Sequence, residues 1–165
     1  HSTGRSRDQQ IALEALEKVD ASHLAETSYL SLSGGEKQRV QLARVLAQIW
    51  EETETPENRY LLLDEPTSAL DLAHQHMILQ QAKSLSNEGT GVVAILHDLN
   101  LAAEYADRIV MLKDGKIHSE GSVEQSIKPD LIRQLFDIKV DIIQHPHSQK
   151  PLVISSSQIT EETRA

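Results

Sequence analysis

Three short runs in this chain combine residue types that could handle a phosphate, a hard cation or a proton. The first is Leu32-Ser33-Gly34-Gly35-Glu36, followed by Lys37-Gln38-Arg39. Ser33 and Glu36 stand at capping-box spacing and predict a helix start. A plain capped helix needs nothing beyond that pair. The two glycines ask for more, because each costs roughly 1 kcal/mol against alanine in a helix. They are a poor choice unless something must approach the backbone closely. A helix N-terminus with bare amides and a serine hydroxyl suits phosphate oxygens.

The second run is Tyr60-Leu61-Leu62-Leu63-Asp64-Glu65. A buried strand ending in two acids places both at its carboxyl edge, where α/β folds bind ligands. Alternation along the strand points the two side chains in different directions, so they can do different jobs. One carboxylate can hold Mg²⁺ through water, since magnesium prefers hard oxygens and keeps part of its shell. The other can polarise an attacking water. A strand running out into a polar turn would look the same, so this run alone does not decide. After Pro66-Thr67, the segment Ser68-Ala69-Leu70-Asp71 reads as a helix N-terminus with Asp71 as its cap. The third run, Ala94-Ile95-Leu96-His97-Asp98, places a histidine just past a second buried strand. A lone histidine is usually structural or exposed. The expected position of His97, at the same sheet edge as Asp64 and Glu65, makes it a candidate for contacting a γ-phosphate.

Those runs need elements to hold them. Ala12, Ala15, Leu16 and Val19 line one face of a helix expected over 9–19. A second helix is expected from Ser33 to about Trp50, with Leu42, Val45, Leu46, Ile49 and Trp50 at helical spacing. The polar stretch 51–58, with Pro56, reads as a loop. Beyond it strands and helices alternate: a strand over 60–63, a helix over 72–85, a strand over 92–96 and a short helix over 101–106. Both strands are short apolar runs, the pattern of parallel strands buried on two faces. Asp114-Gly115 predicts a hairpin between 109–112 and 116–120. Ser122 with Gln125 opens a further helix that Pro129 is expected to interrupt. Ile138, Val140 and Ile142 alternate as in a half-buried strand, with 152–154 as a possible partner, and the tail after Ser155 is polar. The grammar is that of an α/β domain with a mainly parallel sheet.

Composition narrows the classes. The 165 residues are 39% apolar and include no cysteine, so disulfides and thiolate metal sites are excluded. No stretch approaches the ~18 apolar residues of a membrane span, and no secretory-signal pattern opens the chain. A soluble chain in a reducing cytoplasm is expected. A formal charge of -9 argues against free nucleic acid as the main partner.

Together these runs resemble the nucleotide-binding subunit of an ABC transporter. The signature LSGGE, the Walker B run LLLDEP, the D-loop SALD and the switch histidine follow the family's order and spacing, from about Gly4 to Ile154. The resemblance implies a P-loop NTPase (RecA-like) ABC ATPase core lacking its P-loop strand, with part of the helical signature subdomain. Its implied divisions are a partial helical subdomain over 1–50, the core over 51–137, and C-terminal strands with a polar tail over 138–165. It implies that Ser33, Gly34 and Gly35 contact the γ-phosphate of ATP held by the opposite subunit, with Glu36 completing that cofactor-binding signature. Asp64 matches the acid that holds magnesium through water, and Glu65 the general base for the attacking water. His97 matches the γ-phosphate sensor, and Asp71 the acid that communicates across the dimer. The chemistry is phosphoryl transfer to water, driven by positioning and electrostatics. ATP and Mg²⁺ are the implied cofactors. The implied partners are a second ATPase subunit, a polytopic permease and, indirectly, a periplasmic substrate-binding protein. The implied place is the cytoplasmic face of the bacterial inner membrane, as a peripheral protein.

One departure matters. No G-x-x-x-x-G-K-[ST] occurs, so the backbone phosphate cradle and its lysine are absent from these 165 residues. The adenine-stacking aromatic and the glutamine loop, which the family places upstream, are missing too, so the chain reads as a C-terminal portion. In the family's sheet the P-loop strand lies between those matching 92–96 and 109–112. The run from Arg39 to Gln48, then Ile49-Trp50 and a polar insert, is similar to hemin-importer ATPases, as are Asp71-Leu72-Ala73-His74-Gln75 and His145-Pro146. Ferric-siderophore and cobalamin importers share much of this but typically lack the insert. His74, His76, His145 and His147 are read as surface residues, since no other ligand type clusters with them. Two alternatives stay open: a soluble ABC ATPase of the translation or DNA-repair type, and a non-catalytic module that complements a separate P-loop chain. The purified 165-residue chain is expected to release phosphate from ATP no faster than background. A steady-state assay showing turnover that Glu65→Ala abolishes would overturn this.

Overall fold

The computed structural model describes residues 3–49, 59–68 and 70–155. They form two compact units, divided after Ile95. In the first unit, helix α1 spans Thr3–Lys18, earlier in its start than the apolar pattern indicates, and α2 spans Gly34–Ile49. Two 3-10 turns, Ser22–Leu24 and Tyr29–Ser31, connect them. Strand β1 (Tyr60–Asp64), helix α3 (Leu72–Asn87) and strand β2 (Gly91–Ile95) follow. The expected loop over 51–58, Trp50, Ala69 and the tail over 156–165 lie outside the described residues.

β1 and β2 pair in parallel, Tyr60 opposite Gly91 and Asp64 opposite Ile95. Their inner face meets the helices: Leu61 and Leu63 join Ala15 of α1 and Val19 just after it, Leu42 and Leu46 of α2, and Ile78 and Ala82 of α3 in one apolar cluster. Ala12, placed by periodicity on the inner face of α1, is exposed. The outer face differs from expectation. Leu62 is 75% exposed, Val93 61% and Ile95 53%, so the strands are covered on one face only among the described residues. A continuous apolar run signals cover on two sides, and here the three helices supply one.

The second unit holds α4 (Leu99–Tyr105), the hairpin β3 (Arg108–Lys113) and β4 (Lys116–Ser122), α5 (Val123–Ser126), α6 (Pro129–Phe136), and strands β5 (Val140–Gln144) and β6 (Pro151–Ser155). Asp114 and Gly115 both take positive φ, 50° and 71°, as a tight two-residue hairpin turn requires. The Ser122–Gln125 capping box forms as the spacing indicates. Pro129 begins α6 rather than interrupting a longer helix, because its missing N–H costs nothing in a first turn. β5 pairs with β6, antiparallel. The Asn100 amide takes the place of a neighbouring strand for β6, donating to the Val153 carbonyl at 3.1 Å and accepting from its N–H at 2.7 Å. Ile132, fully buried, centres this unit's core with Ile109, Met111, Val123 and Val140.

The architecture is mixed α/β, but among the described residues parallel pairing is confined to β1 and β2. The other two pairs are antiparallel, as a two-residue hairpin obliges β3 and β4 to be. Apolar strand faces left bare invite association, and each buried amide left without a partner costs about 1–3 kcal/mol. The isolated chain is therefore expected to self-associate or to melt broadly at low temperature. Size-exclusion chromatography with light scattering and a thermal melt check this. A monodisperse monomer with a sharp, high-temperature transition would contradict it.

Candidate functional site

The site is built on ends of elements. Helix α2 opens with the expected capping box: the Glu36 carboxylate accepts from the Ser33 N–H at 2.8 Å, and Ser33 Oγ accepts from the Glu36 N–H at 3.4 Å. The Ser33 hydroxyl, then its backbone N–H, hold the Glu36 carboxyl below its ordinary value. Gly34 and Gly35 are the first residues of α2. A Cβ built on Gly34 would meet nothing within 4 Å. No internal packing demands that glycine, and it leaves bare backbone facing open space at a helix N-terminus.

Asp64 closes β1 and Glu65 follows it, both exposed. The chain turns sharply there, with Glu65 at a φ of 46°, in the left-handed region that a residue with a Cβ rarely occupies. Its carbonyl accepts from the Ser68 N–H at 3.1 Å, Ser68 Oγ at 3.0 Å and Gln38 Nε2 at 3.2 Å. Pro66, the next residue, is buried. The structure thus brings the signature helix to the loop after β1, through Gln38.

At the far end of that loop Asp71 caps α3, accepting from the His74 N–H at 2.9 Å. His74 Nδ1 lies 2.8 Å from both Asp71 carboxylate oxygens, and its Nε2 meets Arg39 Nη1 of α2. The expectation that His74 is a surface residue is therefore corrected. Its side chain is 23% exposed and is held between two elements. Gln75 Nε2 donates to the carbonyls of Thr67 at 3.2 Å and Leu70 at 3.1 Å. Gln38, Arg39, His74 and Gln75 all shape the site, and spacing alone identified none of them. The nearest signal was their adjacency to the signature and to Asp71.

His97 lies in the second unit, two residues past the end of β2, and is exposed. Asp98 beside it caps α4, accepting from the N–H groups of Asn100 at 2.7 Å and Leu101 at 3.0 Å. His145 Nδ1 accepts from the N–H of Ser148 at 3.2 Å, so this histidine closes a turn.

Residues 2–68 match the family model for the ABC transporter. The chain is 51% identical to the hemin import ATP-binding protein HmuV of Pseudomonas aeruginosa, over 94% of this chain and 60% of that protein. It is 53% identical to the protein of the same name from Gloeobacter violaceus, over 93% of this chain and 56% of that one. A metal-chelate type ABC transporter solved in an inward-facing conformation superposes with a TM-score of 0.74 at 28% identity, over 92% of this chain and 58% of that one. A dimeric bacterial ABC transporter cassette superposes at 0.60 with 36% identity, over 69% and 46%. Sequence and fold are similar to those of part of an ABC transporter ATP-binding protein. The chain spans about 60% of the length of the curated relatives it matches.

The two helix caps carry a pH dependence. Hydrogen bonds from His74, its backbone N–H first, hold the Asp71 carboxyl below the ordinary 3.8. A carboxyl lowered on folding contributes stability above its unfolded value and loses that contribution as pH falls through the folded one. Asp71→Ala is therefore expected to melt earlier than the parent chain near neutrality, with the gap closing below pH 3.8. Paired urea melts across that range check it. A gap that persists in acid would remove the charged cap as its cause.

Proposed function

We propose that this chain is part of the ATP-hydrolysing subunit that energises an importer of hemin. One observation carries the ATPase reading: Asp64 and Glu65 stand exposed at the end of a parallel strand, in a loop tied by Gln38 to the helix that opens at Ser33 and Gly34. The hemin reading draws on the names of relatives about half identical along nearly the whole chain.

The residues present fit the groups this activity needs. Asp64 offers hard oxygen to a hydrated magnesium ion, and the open backbone at Gly34 suits a phosphate oxygen. Bound magnesium ATP supplies an electrophilic γ-phosphorus whose charge is partly neutralised. Glu65 then takes the proton of the attacking water at its carboxylate. Asp64 would hold the magnesium ion through water. Ser33, Gly34 and Gly35, with Glu36 fixing their helix start, offer donors to the γ-phosphate held by the opposite subunit. His97 offers a ring nitrogen to that phosphate, and Asp71 carries contact across the dimer. In this reading the partners are a second copy of the subunit, a polytopic permease and, through it, a periplasmic binding protein. The subunit is peripheral, at the cytoplasmic face of the inner membrane. No helix among the described residues is long and apolar enough to cross a membrane. The superposition on a metal-chelate type transporter supports a second cargo class, ferric siderophores or cobalamin, for the same machinery.

In the complete subunit assembled with its permease, Glu65→Gln is expected to keep ATP binding and to cut hydrolysis by ~10²-fold or more. The amide preserves shape while removing the base. Nucleotide-binding and phosphate-release measurements on that variant check this. Near-normal turnover would reassign the base, with His97 next in line. Uptake of hemin by vesicles carrying the assembly, against a ferric siderophore and cobalamin, decides the cargo.

A further inference from the structure

The loop from Glu65 to Asp71 is gripped at both ends by two consecutive residues of α2. Gln38 reaches the Glu65 carbonyl at 3.2 Å and Ser68 Oγ at 3.5 Å. Arg39 reaches His74, which holds Asp71. Consecutive residues on a helix diverge by about 100°, so neighbours can serve two ends of one loop.

The chemistry at each end is directional. Glu65 sits at a φ of 46°, which costs energy unless its surroundings hold it. The two Ser68 donors to its carbonyl are local and come with the turn itself. Gln38 brings a donor from a different element, so it alone of the three relates Glu65 to the signature helix. At the other end, the Arg39 guanidinium can only donate, so His74 Nε2 must accept, and Nδ1–H must donate to the Asp71 carboxylate. The Asp20 carboxylate is the other charged group facing the ring, 4.0 Å from Nε2. Arg39 Nε is buried with no hydrogen-bond partner, so the guanidinium's contact here is the one through Nη1 to His74.

We propose that Gln38 and the Arg39–His74 pair are positioning residues that tie the signature helix to the Glu65–Asp71 loop of the same subunit, so that movement of the helix start moves Glu65. The catalytic part of this rests on Glu65 being the general base. The tie itself does not.

The test uses the complete subunit assembled with its permease. Gln38→Glu keeps shape but turns an acceptor toward the Glu65 carbonyl, and kcat is expected to fall about 10- to 100-fold, the cost of misplacing a reacting group. KM for ATP is expected to stay within about 2-fold, because nucleotide binding is not what the contact supports. His74→Leu should lose kcat in the same way. His74→Gln should recover most of that loss, since its amide can donate to Asp71 and accept from Arg39. The backbone ¹³C′ resonance of Glu65, labelled in the same assembly, is expected to move in Gln38→Glu. An unmoved resonance with unchanged kcat would overturn the proposal, as would a loss confined to KM or a His74→Gln variant no better than His74→Leu. If the resonance moves while Glu65→Gln retains turnover, the tie stands and the base is reassigned. Gln38→Glu is isosteric and His74→Gln keeps one donor and one acceptor, so failure of both to fold would show the contacts to be structural and would also overturn it.

Discussion

β1 ends at Asp64, and the chain turns at the next residue, Glu65, with a positive φ. Such a residue stays put only where neighbours hold it. Three donors converge on its carbonyl, Gln75 satisfies the carbonyls of Thr67 and Leu70, and Asp71 closes the loop as a helix cap. The carbonyls of Glu65, Thr67 and Leu70 each accept from a side-chain amide or hydroxyl, and the first two from a backbone N–H of the loop as well. The placement of Asp64 and Glu65 depends on that accounting.

The same residues serve as caps and as candidate ligands. Ser33 and Glu36 satisfy the first turn of α2, and Asp71 that of α3. A helix start is a natural anion site because its amides lack intrahelical partners. The side chain that caps it therefore occupies part of the surface a phosphate would approach. Gly34, with open space where a Cβ would stand, leaves that approach clear.

The first unit packs three helices on one side of a parallel pair and leaves Leu62, Val93 and Ile95 bare on the other. In the second unit, Asn100 supplies β6 with the two bonds a neighbouring strand would make. Strands need partners for their backbone and cover for their faces, and the first unit covers one face of its pair. In the second unit one side chain meets the backbone of β6 at Val153.

Much was legible in the amino-acid sequence because its signals are local. Ser33 with Glu36, Asp71, Ser122 with Gln125, and Asp114-Gly115 each act within a few residues, and all form as their spacing indicates. The apolar runs marked the strands, and the order of the motifs pointed to the family. What spacing could not show is contact between distant segments. Gln38 meets Glu65, and Arg39 meets His74, only because α2 packs beside the end of β1 and the start of α3. Nor could periodicity say that one face of β1 and β2 is bare among the described residues, since a continuous apolar run looks the same whether one face or both are covered. Local hydrogen-bonding chemistry was determined by the sequence itself. The tie between the signature helix and the acidic loop was decided by tertiary packing, because a side chain's partner across the fold depends on where the backbone brings it.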